Sequence, residues 1–230
     1  MKKAFLTISG FILLTASNIS TAALIDFTTS GLSVVDNKIT GTTDGVGYTV
    51  STNGTLNINE GYDGSQNNGC TPQAPSLACN IDGIGVGNDE LNNNEIVTLT
   101  FTEDVLLSGF YFLDLYDGSS RAVKNTDGKE FYTQEEATVT LPDLTTLTIL
   151  GTETGGQGGF AELTGFSPIT ILAGQAVTFT ADVFKGDDGN NDYALAGITV
   201  NAIPLPGAVW LFGSALVGFA GFNRFRKKSA

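Results

Sequence analysis

Short runs in which apolar residues alternate with threonine recur along the middle of the chain. In residues 95–102, Val97, Leu99 and Phe101 alternate with threonines, which is the period-2 pattern of a half-buried strand. Residues 105–115 are more continuously apolar, which predicts a central strand. Further strand patterns cover residues 24–27, 38–43, 48–52, 56–59, 121–124, 129–133, 137–141, 145–150, 177–183 and 194–202.

Turn and loop residues separate these runs. Asn53-Gly54 lies between two of them and predicts a β-hairpin. Residues 60–94 are predicted to form one long loop, and residues 151–160 a glycine-rich loop. No amphipathic helix or fixed repeat is evident, so residues 24–202 are predicted to form one all-β domain. The most economical architecture is an antiparallel β-sandwich of the jelly-roll kind.

The first 23 residues have the pattern of a secretory signal peptide. A basic start at Lys2 and Lys3 precedes an apolar stretch over residues 4–16 and small or polar residues up to position 23. We expect cleavage after Ala22 or Ala23, and an uncleaved signal anchor is the alternative. Both interpretations place the middle of the chain outside the cytoplasm.

A second apolar run lies in the C-terminal region. No residue from Ala208 to Phe222 is charged, and the uncharged stretch from Ile203 to Phe222 is 20 residues long. A membrane-spanning helix needs roughly 20 such residues, so the run predicts one transmembrane helix. The basic residues that follow it are Arg224, Arg226, Lys227 and Lys228. They predict a cytoplasmic tail by the positive-inside rule. A permanent anchor and a helix of a soluble core are the alternatives.

The order of these C-terminal parts resembles the PEP-CTERM sorting segment. Over residues 203–230 a short proline motif comes first, then the apolar helix, then the basic tail. The motif residues are Ile203, Pro204, Leu205, Pro206 and Gly207. They are most similar to the variant that reads Val-Pro-Leu-Pro-Ala, and Leu205 stands where the name-giving motif has Glu.

This resemblance implies how the protein is delivered. An exosortase, a membrane-embedded enzyme similar to cysteine transpeptidases, would recognise the segment in the inner membrane. The tail would then be removed and the protein sent to the cell surface or the extracellular matrix of a biofilm. Signal peptidase and the exosortase are therefore the expected processing partners, and the inner membrane is the expected transient location.

The charge balance restricts the partners of the predicted domain. The net charge is −13, and six of the 11 basic residues lie in the two terminal segments, whereas all 24 acidic residues lie between them. Such a surface repels nucleic acid and anionic lipid. The chain has no histidine, which excludes Ser-His-Asp and Cys-His catalysis.

Cys70 and Cys79 are the two cysteines of the chain and lie nine positions apart. In an exported protein this pair is predicted to form a disulfide. A metal or redox pair is the alternative, although two sulfurs without histidine make a poor zinc site.

Two loops rich in Asp, Asn and Gly are candidate calcium sites. Carboxylate and amide oxygens are the ligands that Ca²⁺ prefers, although neither loop has EF-hand spacing. Ordinary turn chemistry explains the same residues, so both interpretations stay open. The candidate ligands are Asp82, Asp89, Glu90 and Glu95 in the first loop and Asp187, Asp188 and Asp192 in the second. No other cofactor is expected.

Three functions fit these observations. The first is a non-enzymatic surface or matrix protein that binds exopolysaccharide, Ca²⁺ or both. The second is a secreted polysaccharide hydrolase, for which no pair of carboxylates is singled out. The third is a structural adhesin or self-associating coat protein. Tyrosines that could stack on sugar rings near loops or strand ends are Tyr62, Tyr111, Tyr116, Tyr132 and Tyr193.

Overall fold

The computed structural model describes most of the middle of the chain. The described residues are 22–58, 61–62, 77–87, 90–92, 94–117, 122–124, 130–132, 135–151, 158–181 and 191–203. Thr21–Ile203 form one compact unit. The predicted signal peptide, apart from its last two residues, and the predicted sorting segment after Ile203 lie outside the described residues. Within the described ranges, no helix has the length and hydropathy needed to cross a membrane.

The described part of the chain is all-β, as predicted, and its strands pair antiparallel. The strands are β1 (Ala23–Asp26), β2 (Val34–Val35), β3 (Lys38–Thr43), β4 (Val46–Thr52), β5 (Leu56–Asn57), β6 (Gly85–Val86), β7 (Ile96–Phe101), β8 (Val105–Leu113), β9 (Ala122–Lys124), β10 (Glu130–Tyr132), β11 (Glu136–Thr140), β12 (Thr146–Leu150), β13 (Ala161–Ile171), β14 (Ala176–Ala181) and β15 (Ala194–Ala202).

Two sheets contain most of these strands. The larger has seven strands in the order β12-β11-β14-β7-β4-β3-β2, and the smaller has four in the order β1-β15-β8-β13. β8 is an inner strand of the smaller sheet, which confirms the prediction from its continuous apolar run. Two short pairs, β5 with β6 and β9 with β10, complete the strand pairing among the described residues.

One hydrophobic core joins the inner faces of the two sheets. Val97, Leu99 and Phe101 of β7 point into it, and their alternation in the sequence follows directly from that burial. Phe110 of β8 packs edge-on against Phe179 of β14 at 6.0 Å between ring centroids, so the contact crosses from one sheet to the other. This arrangement is consistent with a β-sandwich.

A second, smaller hydrophobic cluster lies on the outer side of the four-stranded sheet. Its buried members are Tyr62, Tyr111, Leu113 and Ala196, with Leu77, Cys79 and Phe160 packed against them. Residues 61–62 and 77–82 therefore cover the sheet, because their apolar side chains complete this cluster.

The predicted loop over residues 60–94 is therefore only partly a loop. It contains β6, and Ile84 forms an isolated bridge to Leu195 of β15. Ile84, Val86 and Leu91 are buried in the main core. Strand prediction from alternating apolar residues missed Ile84, Val86 and Leu91. Each lies in a segment that pairs with another strand over only one or two residues, which is too short to show a period of two.

The hairpin predicted at Asn53-Gly54 is wrong. β5 pairs with β6 rather than with β4. Asn53 instead extends the pairing of β4 with β7, since its side chain accepts a hydrogen bond from the Ile96 N–H at 2.8 Å and donates one to the Asn94 carbonyl at 2.8 Å. Two-residue hairpin turns lie at Asp44-Gly45, with φ angles of 49° and 84°, and at Asp36-Asn37, with φ angles of 51° and 59°.

β13 was not predicted from the sequence. Its register against β8 shifts between Thr164 and Ile169, so that residues 165–168 form a large bulge that interrupts the ladder. Gly165, with φ of 74°, and Pro168 lie in this bulge and break the alternation. Phe166 still packs on Phe110, at 5.9 Å between ring centroids.

Candidate functional site

The described residues of the two acidic loops predicted as separate calcium sites lie next to each other. Leu91 forms an isolated antiparallel bridge to Tyr193, and the Leu91 N–H donates to the Tyr193 carbonyl at 2.7 Å. This register places Asn92 opposite Asp192. Glu95 closes the first loop, because its carboxylate accepts a hydrogen bond from the Asn92 N–H at 2.7 Å. We call this region, residues 90–95 and 191–193, the acidic end.

The predicted calcium ligands fall into three groups. Glu90, Glu95 and Asp192 are half-buried at the acidic end. Asp82 is buried and lies two residues before Ile84, which forms an isolated bridge to Leu195 of β15. Asp89, Asp187 and Asp188 lie outside the described residues. Within the described ranges, no group of three or more acidic or cysteine side chains is arranged to hold a metal ion.

Asn191 fixes the second acidic loop to the seven-stranded sheet. It is buried, and its side-chain oxygen accepts a hydrogen bond from the Glu136 N–H at 2.7 Å while its amide donates to the Glu136 carbonyl at 3.0 Å. The side chain thus replaces a backbone strand partner at the start of β11. The following residue, Asp192, is held at a defined position as a result.

The acidic end is opposite the end of the domain at which the chain leaves. β15 begins directly after Asp192 and Tyr193 and continues to Ala202, a length of about 30 Å for nine residues. At its far end, the Ile203 N–H donates to the Asp104 carbonyl at 3.1 Å. Ala23 also lies at this end, since it pairs with Val200.

The tyrosines do not form the exposed sugar-stacking platform considered from the sequence. Tyr62, Tyr111 and Tyr193 are buried, and Tyr193 donates from its hydroxyl to the Thr180 carbonyl at 2.9 Å. Burial raises the pKa of Tyr111, and Thr199 donates a hydrogen bond to its oxygen at 3.0 Å. Tyr116 is half-buried, and nothing is described of the Tyr132 side chain. The three buried rings serve packing, because Tyr62 and Tyr111 lie in the second hydrophobic cluster and Tyr193 lies in the main core.

The outer face of the seven-stranded sheet offers a second candidate site. Four consecutive strands, β12, β11, β14 and β7, each carry a Thr-x-Thr triplet whose threonines point away from the core. β4 and β3 continue the pattern. We call this surface the threonine face. It comprises Thr40, Thr49, Ser51, Thr98, Thr100, Thr138, Thr140, Thr146, Thr148, Thr178 and Thr180.

The strand register aligns these side chains in rows across the sheet. The longest row is Thr146, Thr140, Thr178, Thr98 and Ser51. The rows on either side are Thr148, Thr138 and Thr180, and Thr100, Thr49 and Thr40. Neighbours are about 4.8 Å apart across the strands and about 6.8 Å apart along them. The result is a two-dimensional grid of hydroxyl and methyl groups.

The rows contain no acidic side chain among the described residues. The longest row ends on Lys38, which pairs with Ser51, and Glu136 lies at the margin of the face. The threonines are exposed or half-buried, although the hydroxyl oxygen of Thr138 is buried. The sequence contains the triplets, but their common face follows only from the order of the strands in the sheet. Sequence reasoning therefore missed this site.

Comparison with protein-family models gave no match, and neither did comparisons with curated proteins and with solved structures.

Proposed function

We propose that this chain is an exported, non-enzymatic surface or matrix protein whose β-domain binds a neutral exopolysaccharide through the threonine face. We also propose that the two sheets form a jelly-roll β-sandwich. The observation that carries the binding proposal is a grid of hydroxyl and methyl groups whose rows contain no acidic side chain, on a strongly acidic chain.

The chemistry of the grid suits an uncharged, hydroxyl-rich polymer. Threonine hydroxyls both donate and accept hydrogen bonds, and their methyl groups pack against the C–H surfaces of sugar rings. The spacing across the strands is similar to the length of one pyranose residue, so a polysaccharide lying along a row meets a hydroxyl at each step. Each hydrogen bond contributes only about 1 kcal/mol, so affinity depends on repetition along the polymer.

Isosteric substitutions on the longest row test this proposal. Thr98→Val together with Thr178→Val removes two hydroxyls and keeps the β-branched shape that strands favour. We expect the affinity for a neutral matrix polysaccharide to fall about 10- to 30-fold in a pull-down titration. Thr170→Val is the matched control, because Thr170 is exposed on β13 of the other sheet. Equal binding by all variants would contradict the proposal.

A hydrolase would give a different result. Release of soluble sugar from matrix polysaccharide, abolished by a single Asp or Glu substitution, would replace the binding proposal with an enzymatic one. The absence of histidine, which excludes Ser-His-Asp and Cys-His catalysis, supports the non-enzymatic proposal. A coat protein that associates with itself and has no affinity for glycans would support the third function instead.

The delivery route is proposed from the terminal segments. Signal peptidase removes the leader, and an exosortase acts on the segment that begins with Ile203 and Pro204. Ala23 is buried in β1 and pairs with Val200, so cleavage after Ala22 leaves this strand intact whereas cleavage after Ala23 shortens it. We therefore propose the earlier site.

Calcium binding at the acidic end is the second proposed property. The bridge between Leu91 and Tyr193 supports it, because it joins two loops that supply carboxylate and amide oxygens. We expect Tm to rise with millimolar Ca²⁺ over excess EDTA, and the rise to disappear in Asp192→Asn. The control is Asp36→Asn, which removes one exposed negative charge from the β2–β3 turn. An unchanged Tm would mean that these loops are ordinary turns.

A further inference from the structure

The four outer strands of the two main sheets differ in how their free edges are protected. β2 has only two residues. β1 is covered at its end, where the N–H groups of Asn80 and Ile81 donate to the Thr28 carbonyl at 2.9 and 3.2 Å. β13 carries the bulge with Gly165 and Pro168. Shortness, cover, bulges and proline are the usual ways in which proteins prevent edge-to-edge pairing.

β12 has none of these protections. It is five residues long, its register against β11 is continuous, and its sequence Thr-Leu-Thr-Ile-Leu contains no charge and no proline. Residues 144–151 are also uncharged. Among the described residues, no other strand pairs with its free side.

The hydrogen-bond pattern identifies the groups on this free edge. The Leu141 N–H donates to the Thr145 carbonyl, and the Gly151 N–H donates to the Glu135 carbonyl. Because bonded and non-bonded pairs alternate in an antiparallel ladder, Leu147 and Ile149 direct their N–H and C=O groups toward β11. Thr146, Thr148 and Leu150 direct theirs outward.

Exposed apolar side chains flank the same edge. Leu144 is 81% exposed and Leu150 is 43% exposed. Leu144 is moreover held in a left-handed conformation, with φ of 68°, at the turn before β12. An uncharged, apolar edge of this kind is a template for a strand of another chain.

We propose that β12 pairs antiparallel with β12 of a second copy of this chain, with the two-fold axis at Thr148. In this register Thr148 meets Thr148 of the second copy and Thr146 meets Leu150, so all outward N–H and C=O groups are paired. The pairing joins two seven-stranded sheets into one and continues the Thr148 row of the threonine face across the axis. It does not depend on polysaccharide binding.

A second copy is the occupant that fits the charge of the molecule. Each copy has a net charge of −13, so two copies repel each other over most of their surfaces and can approach at an uncharged edge. Salt screens that repulsion without weakening backbone hydrogen bonds or apolar contacts. The proposed dimer therefore becomes tighter as ionic strength rises, whereas a contact based on ion pairs would weaken.

Sedimentation velocity on the purified full-length chain, over a range of protein and salt concentrations, tests the pairing. Thr148→Pro removes an N–H at the centre of the proposed contact and leaves the ladder to β11 intact, because proline is tolerated on edge strands. We expect the dimer dissociation constant to rise more than about tenfold. Leu150→Lys places a charge at this apolar edge, opposite Thr146 of the second copy, and is expected to act in the same direction without changing the backbone.

Val35→Lys is the matched control. Val35 is 64% exposed on β2, at the opposite edge of the same sheet. The substitution therefore adds the same charge as Leu150→Lys, at an exposed apolar position away from the contact. Dimerisation that is lost in both β12 variants and kept in the control supports the proposal. A monomer at all concentrations, or an oligomer that Thr148→Pro does not affect, overturns it. Glycan pull-down with the same proteins reports separately on the threonine face.

Discussion

Asp26 holds the covering segment of the smaller sheet in place. One carboxylate oxygen accepts hydrogen bonds from the Thr28 N–H at 2.8 Å and the Thr28 hydroxyl at 2.6 Å, and the other accepts from the Ala78 N–H at 2.8 Å. The Thr28 hydroxyl in turn accepts from the Cys79 N–H at 2.8 Å. A single acidic side chain thus connects the end of β1 to residues 77–79.

Asp26→Asn is therefore expected to lower the free energy of unfolding by about 1–3 kcal/mol, because hydrogen bonds to a charged acceptor are lost. Urea unfolding measures this change. Asp36→Asn, at an exposed turn residue, is the control and should change the free energy by no more than about 0.5 kcal/mol. Equal effects of the two substitutions would show that Asp26 does not hold the segment.

Tyr48 makes stability depend on alkaline pH. Burial raises the pKa of its phenol, and the Asp26 carboxylate nearby raises this pKa further. Because the pKa of this phenol is higher in the folded state than in the unfolded state, the neutral phenol contributes stability in full below a pH of about 10. This stability is lost as the pH rises through the folded-state pKa. We expect Tyr48→Phe to flatten this alkaline loss in urea unfolding measured from pH 8 upward. An unchanged pH profile would mean that other groups cause the loss.

At the scale of elements, the predicted disulfide is expected to stabilise the covering segment of residues 61–62 and 77–82. Cys79 has no free thiol in the structure, and Cys70 lies outside the described residues, so the Cys70–Cys79 bond stays a prediction. If it is present, alkylation of the denatured chain labels neither cysteine before reduction and both after it. Reduction should lower the free energy of unfolding by about 2–3 kcal/mol, since the closed loop is short. Labelling of both cysteines without reductant would exclude the bond.

The strands that could be predicted from the sequence are those whose partners run alongside them for several residues. β3 and β15 have the predicted bounds, and β7 differs by one residue at each end. Their alternation reflects one face in the core and one outside. β13 and β6 could not be predicted in this way, because a bulge interrupts the first and the second has only two residues.

The candidate sites were only partly predictable for a related reason. The acidic residues of each loop are visible in the sequence, but their proximity depends on the pairing of Leu91 with Tyr193, which are far apart in the chain. The rows of the threonine face likewise depend on which strands are neighbours. Local sequence determines which side chains a strand presents, whereas long-range pairing determines which of them share a surface.

At the scale of the whole molecule, the two ends of the domain carry different features. Ala23 and Ile203 lie at one end, and the acidic end lies about 30 Å away along β15. The threonine face extends along the side between them. A domain attached through its C-terminal segment would therefore present both candidate sites away from the point of attachment.

The proposed delivery route predicts the mass of the mature protein. Exosortase processing in cells that carry the enzyme should yield surface protein without Arg224 to Ala230, measured by intact mass. Replacing Pro204 and Pro206 with Ala should leave the tail in place, because the resemblance assigns recognition to that motif. Pro142→Ala, at a turn inside the domain, should be processed normally and controls for general effects of losing proline. Surface protein that retains the basic tail would show that the segment acts as a permanent anchor instead. Because the domain ends at Ile203, directly before Pro204, either result should leave its folding unchanged.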